Sequence, residues 1–209
     1  MTSTPSITPM GASDPAAPFI HDTVHWLEKA VIGLNLCPFA KGVHVKGQIH
    51  YVVALTEDTE TVLSLLREEL LALQKTPAEV RDTTLLVLPH CLQDFLDFND
   101  FLGDAEGLLD ALGLDGILQI ASFHPQFQFA GTEVDDVTNC TNRAPYPTLH
   151  LLREDSIDRA VEVFPEAEAI FERNMEVLEG LGLEGWRALD VGPHVVAPLA
   201  VDPQGQGAR

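Results

Sequence analysis

The chain has 209 residues, 45% of them hydrophobic and 21% charged, which suits one domain with a sizeable core better than two. Twelve Lys and Arg stand against 32 Asp and Glu, a net charge of −20, and a surface of that sign repels both phosphate backbones and anionic lipid, so neither nucleic acid nor membrane is expected as a partner. No apolar run approaches the roughly 20 residues of a membrane helix, no secretory signal is legible, and three cysteines (Cys37, Cys91, Cys140) suit free thiols in a reducing cytoplasm.

Residues 1–18 are rich in Ser, Thr, Pro, Gly and Ala and read as a disordered tail. Residues 191–209 read as a second, flexible one, leaving 19–190 as a single domain. A helix is expected over Asp22–Leu34, capped by Asp22 or Thr23, with Val24, Leu27, Ala30, Val31 and Leu34 on one face. Ile49–Leu55 is a β-type run. The next helix, about Asp58–Lys75, has acids at its start and Lys75 at its end, as the macrodipole favours, and buries Val62, Leu63, Leu66, Leu70 and Leu73. Thr83–Leu88 reads as a buried strand stopped by Pro89. A helix over about Gln93–Leu112 is ended by Gly113, and Gly116–Phe123 and Thr148–Arg153 read as strands. Ser156 is expected to cap a short helix to Phe164, and Pro165 to start another reaching about Gly180. This order predicts an α/β fold with right-handed crossovers and a roughly four-stranded mixed sheet packed with helices. An α+β arrangement with ferredoxin-like pairing uses the same ingredients.

The stretch His124–Pro147, HPQFQFAGTEVDDVTNCTNRAPYP, has neither helical nor strand periodicity, yet it is too aromatic for a solvated linker. Connections of that length within a compact domain are usually functional or disordered. This one follows the end of a strand, where α/β proteins place ligands. Residues 82–142 hold no Lys or Arg, so Arg143 is an isolated cation. Beside Asn139 and Asn142 it suits a bidentate grip on a carboxylate or phosphate; the alternative is an ion pair with Asp135 or Asp136 that pins the loop. His124, near Gln126 and Gln128, is the best acid–base candidate because its pKa lies near neutrality, although a histidine at a strand end is more often structural.

The second unusual site is Asn35-Leu36-Cys37-Pro38-Phe39-Ala40. At the start of a helical turn, with Lys41 close by, Cys37 acquires a lowered pKa; packed at a helix–loop junction, it is an inert small hydrophobe. No metal-ligand spacing, phosphate-cradling glycine loop, nucleophile elbow or dinucleotide fingerprint is present, and no cofactor is identified. The leading expectation is a cytoplasmic enzyme acting on a small anionic metabolite. Cys37 and His124 would supply the chemistry, and Asn35, Gln128, Asn139, Asn142, Arg143 and Tyr146 the binding. A non-catalytic metabolite-binding or regulatory module needs only the Arg143 pocket. A protein-interaction domain would instead expose Phe127, Phe129 and Tyr146.

The blocks WLEKAVIGLNLCPFA (26–40), DTTLLVLP (82–89), DFNDFL (97–102), IASFHPQFQFAGT (120–132) and TNRAPYPTLHLLR (141–153) together resemble a bacterial and plastid family, domain of unknown function 1415, over about residues 20–182. The resemblance lends no reaction. It implies that the family pattern includes Asn35, Cys37, Pro38, His124, Pro125, Gln128, Asn139, Asn142, Arg143, Pro145 and Tyr146, and that Cys91 and Cys140 fall at variable positions.

Overall fold

The computed structural model of the chain describes residues 14–163 and 169–195. Strands β1 (Ile49–Val53), β2 (Thr83–Val87), β3 (Leu118–Phe123) and β4 (Thr148–Arg153) form one mixed sheet in the order β1-β2-β4-β3. β1 and β2 are parallel neighbours, whereas β4 runs antiparallel between β2 and β3. The crossover through α3 (Thr59–Lys75) therefore joins adjacent strands. The one through α4 (Phe95–Ala111) is split, with β4 filling the gap. The fold is α/β with a four-stranded mixed sheet; a full ferredoxin-like pairing needs two split units, and the direct contact of β1 with β2 leaves only one.

Both crossovers advance the same way across the sheet, so right-handed connections put α3 and α4 on one face. Asp58 caps α3 by accepting from the Thr61 N–H at 2.9 Å, and Val62, Leu66, Leu70 and Leu73 form its buried stripe. Asp94 caps α4 in the same manner. On this face Leu86, Leu88, Leu118, Leu149 and Leu151 meet Phe98 and Phe101. Leu85 and Val87 point to the opposite face, so β2 is buried on both sides, as its unbroken apolar run requires.

The opposite face is covered by α1 (Ala17–Trp26), which starts at Ala17 rather than at the expected Asp22 and has Pro18 in its first turn. Asp22 and Thr23 thus lie inside the helix, buried, and the Thr23 hydroxyl donates to the Phe19 carbonyl at 2.8 Å instead of capping. Beyond Trp26 the chain winds on as a π-helical turn, Leu27–Ile32, which carries Leu27, Ala30 and Val31 into the core around Trp26. Gly33 is obligatory there, because a Cβ would sit 2.2 Å from the Lys29 carbonyl oxygen. Asn35, in the left-handed region at φ 56°, ends the helix, and the Leu36 N–H reaches back to the Val31 carbonyl at 2.9 Å. A short helix α2 (Ala40–Val45) follows, so the helical turn considered after Cys37 is present but starts at Ala40.

After β4, α5 (Glu154–Val163) begins before Ser156, whose hydroxyl bonds Asp82 at 2.6 Å rather than capping. The expected start at Pro165 lies outside the described residues. α6 (Ile170–Ala188) runs beyond Gly180, breaks at Gly182 (φ 68°) and packs on a 3-10 turn, Val137–Asn142. Of the two expected tails, residues 1–13 and 196–209 lie outside the described residues, while 191–195 are placed and join the site below. Among the described residues no helix is long and apolar enough to cross a membrane.

Candidate functional site

The β3–β4 connection is a chain of tight turns. The Phe127 N–H reaches the His124 carbonyl, Thr132 reaches Phe129, and Asp136 reaches Glu133; Gly131 supplies the positive φ, 85°, of the second turn. Asp136 then caps the 3-10 turn through the Thr138 N–H and hydroxyl. Asn139, 0% exposed, stitches these turns together. Its Oδ1 accepts from the Phe129 N–H (2.9 Å) and the Thr132 hydroxyl (2.8 Å), and its Nδ2 donates to the Glu133 carbonyl (2.9 Å). Gln128 donates to the Thr132 carbonyl at 2.6 Å, and Asn142 approaches the Ser122 carbonyl at 3.4 Å. The amides expected to hold a ligand are thus engaged by backbone. Phe127 stacks between Phe95 and Phe129, both half-buried, and Tyr146 is only 4% exposed, which removes the exposed aromatic patch that an interaction surface required.

His124, 0% exposed, lies on the α4 face with ring centroids 5.3 Å from Phe95 and 5.1 Å from Phe98. Its Nδ1 accepts from the Gln126 N–H at 3.0 Å, so the proton sits on Nε2, which donates to the Leu92 carbonyl at 3.2 Å. Both nitrogens are occupied, and burial pushes the imidazole pKa down against the pull of the Leu92 carbonyl. Cys37 lies on the other face, packed against the group formed by Trp26, Ala30 and Ala144 together with Phe123. Phe123 and His124 are consecutive, and consecutive side chains on an extended strand point to opposite faces. The sheet therefore separates Cys37 from His124, and the expected pair does not form. Burial also pushes the Cys37 thiol up, outweighing the Phe39 and Ala40 N–H groups that favour a thiolate. Asn35 is exposed and acts as the helix terminator described above.

Arg143 stands apart from these residues. Its Nε donates to the Phe127 carbonyl at 3.2 Å and an Nη to the Val134 carbonyl at 2.7 Å, and among the described residues no carboxylate pairs with it. The guanidinium does pin the loop, but through carbonyls rather than through a close ion pair with Asp135 or Asp136; Asp136 feels its charge from beyond contact distance. It lines an open crevice of about 180 Å³ with Pro125, Ala144, Trp186, Val191, Gly192 and Pro193. The crevice sits where β3 ends and β4 begins, roofed by the end of α6. The indole of Trp26 fixes one edge by donating to the Arg143 carbonyl at 2.8 Å.

Beside the crevice α1 and the segment after α6 meet at Asp22, 2% exposed. Its carboxylate accepts from the Tyr146 hydroxyl (2.7 Å), from the His194 N–H (2.9 Å) and from His194 Nδ1 (3.0 Å). Tyr146 is therefore a buried donor to Asp22, not a ligand contact. Burial pushes the Asp22 carboxyl up, but these hydrogen bonds prevail and hold it below the ordinary range. His194 is raised by Asp190, 3.4 Å from Nε2, and by Asp22. His21 Nδ1 stands 3.6 Å from Asp22, and the His25 ring is 5.9 Å from His194. Among the described residues no group of three or more His, Cys, Asp or Glu converges as a metal site.

Sequence reasoning missed Asp22, Trp186 and His194. One signal was present: Phe19, Asp22, Thr23 and Trp26 share one helical face, so an acid stands on an apolar stripe. No curated protein and no solved structure matches the chain. The family described as "Protein of unknown function (DUF1415)" matches residues 18–188, which spans the sheet, its covering helices and all of the crevice wall except residues 191–193, and the chain belongs to that family.

Proposed function

We propose that the protein is a cytoplasmic small-molecule protein that holds an anionic metabolite in the Arg143 crevice. The observation that carries this is a guanidinium held in place by two carbonyls, with no carboxylate in ion-pair contact among the described residues, at the wall of a crevice in an otherwise acidic chain. Its position beyond the carboxyl end of β3 is where open α/β sheets bind ligands. At about 180 Å³ the crevice falls below the roughly 300 Å³ of drug-sized pockets and suits a small metabolite. A catalytic role beside this crevice is favoured by His194, which follows the lining residue Pro193 and whose Nδ1 is oriented by a buried carboxylate as in acid–base dyads, and not by Cys37 with His124.

A thermal-shift screen of small metabolites, run on wild type and Arg143→Gln, tests the reading. A ligand at 100 times its Kd adds about 2.7 kcal/mol, which raises Tm by roughly 5–11 °C for a chain of this size. That rise is expected in wild type and absent in the variant. Shifts that survive in Arg143→Gln refute the site.

A further inference from the structure

We propose that the occupant of the crevice is a monocarboxylic acid with a compact apolar body, such as an aromatic ring; this rests on the Arg143 reading above. The charge pattern is the first argument. Among the described residues Arg143 is the only Lys or Arg lining the crevice; of the ionisable side chains nearby, Asp22, Asp136 and Asp190 are acidic, and the one basic group, His194, is already held between Asp22 and Asp190. A phosphate dianion or a nucleotide draws on several cationic or backbone N–H donors. Here it would meet one guanidinium within a field of net charge −20, whereas a carboxylate needs one bidentate partner and carries half the charge of a dianion. The Phe127 and Val134 carbonyls and the Cys140 sulfur each take one of the five N–H donors of Arg143, which orients the plane and leaves two donors for a planar carboxylate.

The walls make the second argument. Pro125, Ala144, Val191 and Pro193 offer no side-chain hydrogen-bonding group, and Trp186 offers one indole N–H; no lining side chain supplies the acceptors that the hydroxyls of a sugar or a polyol would need. An apolar body leaves no polar group unpaired on these surfaces, and an aromatic one also gains from contact with the indole. Gly192 also lines the crevice, and a Cβ there would meet nothing within 4 Å, so a larger side chain is accommodated at that position.

Trp26 and Trp186 are the two tryptophans, so intrinsic fluorescence reports on the crevice. The purified full chain is titrated with benzoate, phenylacetate, acetate, benzamide, inorganic phosphate and AMP, using wild type, Arg143→Gln and Gly192→Leu, each checked by circular dichroism. Gly192→Leu adds a branched side chain at a lining position that has room for it, so it decides the matter if Arg143→Gln fails to fold. Benzoate or phenylacetate is expected to bind saturably and at least tenfold more tightly than acetate, benzamide, phosphate or AMP, and to lose tenfold or more in the variants. If phosphate or AMP binds better in a variant-sensitive way, the acid class is overturned and the Arg143 site stands. If benzamide equals benzoate, the anion requirement falls. If no probe gives a variant-sensitive response, this proposal and the Arg143 reading fall together.

Discussion

Replacing Asp22 by alanine removes the acceptor on which Tyr146 and His194 converge. The Tyr146 hydroxyl, 2.7 Å away and buried, loses a hydrogen bond to a charged group, worth about 1.5–3 kcal/mol. The contacts to His194 involve a largely exposed side chain and add little after screening. The expected cost is therefore about 2–4 kcal/mol, or roughly 4–16 °C in Tm at about 2–4 °C per kcal/mol. Urea unfolding followed by tryptophan fluorescence measures it. The decisive reading is the double variant with Tyr146→Phe. With donor and acceptor both gone no buried hydroxyl is orphaned, so the double variant should be more stable than the sum of the single losses predicts, by about 1–3 kcal/mol. Strict additivity, or a loss below about 1 kcal/mol in Asp22→Ala, refutes the hub.

The pH dependence of stability has two limbs. Buried His124 and His150 have lowered pKa values, that of His150 at about 4 through burial, so their contribution is complete above the unfolded value near 6.5 and is lost as pH falls through the folded values. His194 is raised, so its contribution is complete below about 6.5 and is lost as pH rises through the folded value; His194→Gln should flatten the alkaline limb in urea titrations from pH 4 to 9. Gly33→Ala should destabilise by about 1–3 kcal/mol because its methyl meets a backbone carbonyl, whereas Gly42→Ala, in open helical space, should gain about 0.5–1 kcal/mol; equal signs in denaturation would refute the close approach. Cys37 should alkylate more slowly at pH 7 than a thiol of ordinary pKa, with a rate still climbing beyond about pH 8.5, where an ordinary thiol begins to level off, as iodoacetamide kinetics on a Cys91→Ala/Cys140→Ala background would show.

The layers of the fold were legible because they follow from periodicity. The stripe Val62, Leu66, Leu70, Leu73 and the doubly buried β2 announce themselves in the sequence and stand where expected. The start of α1 was not legible, because Asp22 has the chemistry of an N-cap and only tertiary contact with Tyr146 reveals it as a buried acceptor. The candidate site was half legible. Arg143 was singled out by its isolation in a cation-poor stretch, and it does line the crevice. Asn139, Gln128 and His124 drew notice as polar groups in an irregular segment, and that polarity is what a 24-residue connection needs to satisfy its own backbone. A polar loop written for a ligand and one written for itself use the same residue types. Trp186 and His194 come from the far end of the chain, and no local pattern links them to Arg143.

The placement of β4 bears on how the chain acquires its shape as it is made. β4 comes last among the strands yet sits between β2 and β3, and the Thr83 hydroxyl meets the Leu151 carbonyl across 68 positions of sequence. Until Arg153 has left the ribosome, β3 has no neighbour and β2 presents a bare edge, the condition that invites pairing with another nascent chain. Assembly must then wait for a late, long-range closure, which places the protein among the slower folders of its size. Premature termination between β2 and β4 would yield a sticky fragment with only β1 and β2 paired rather than a smaller working unit.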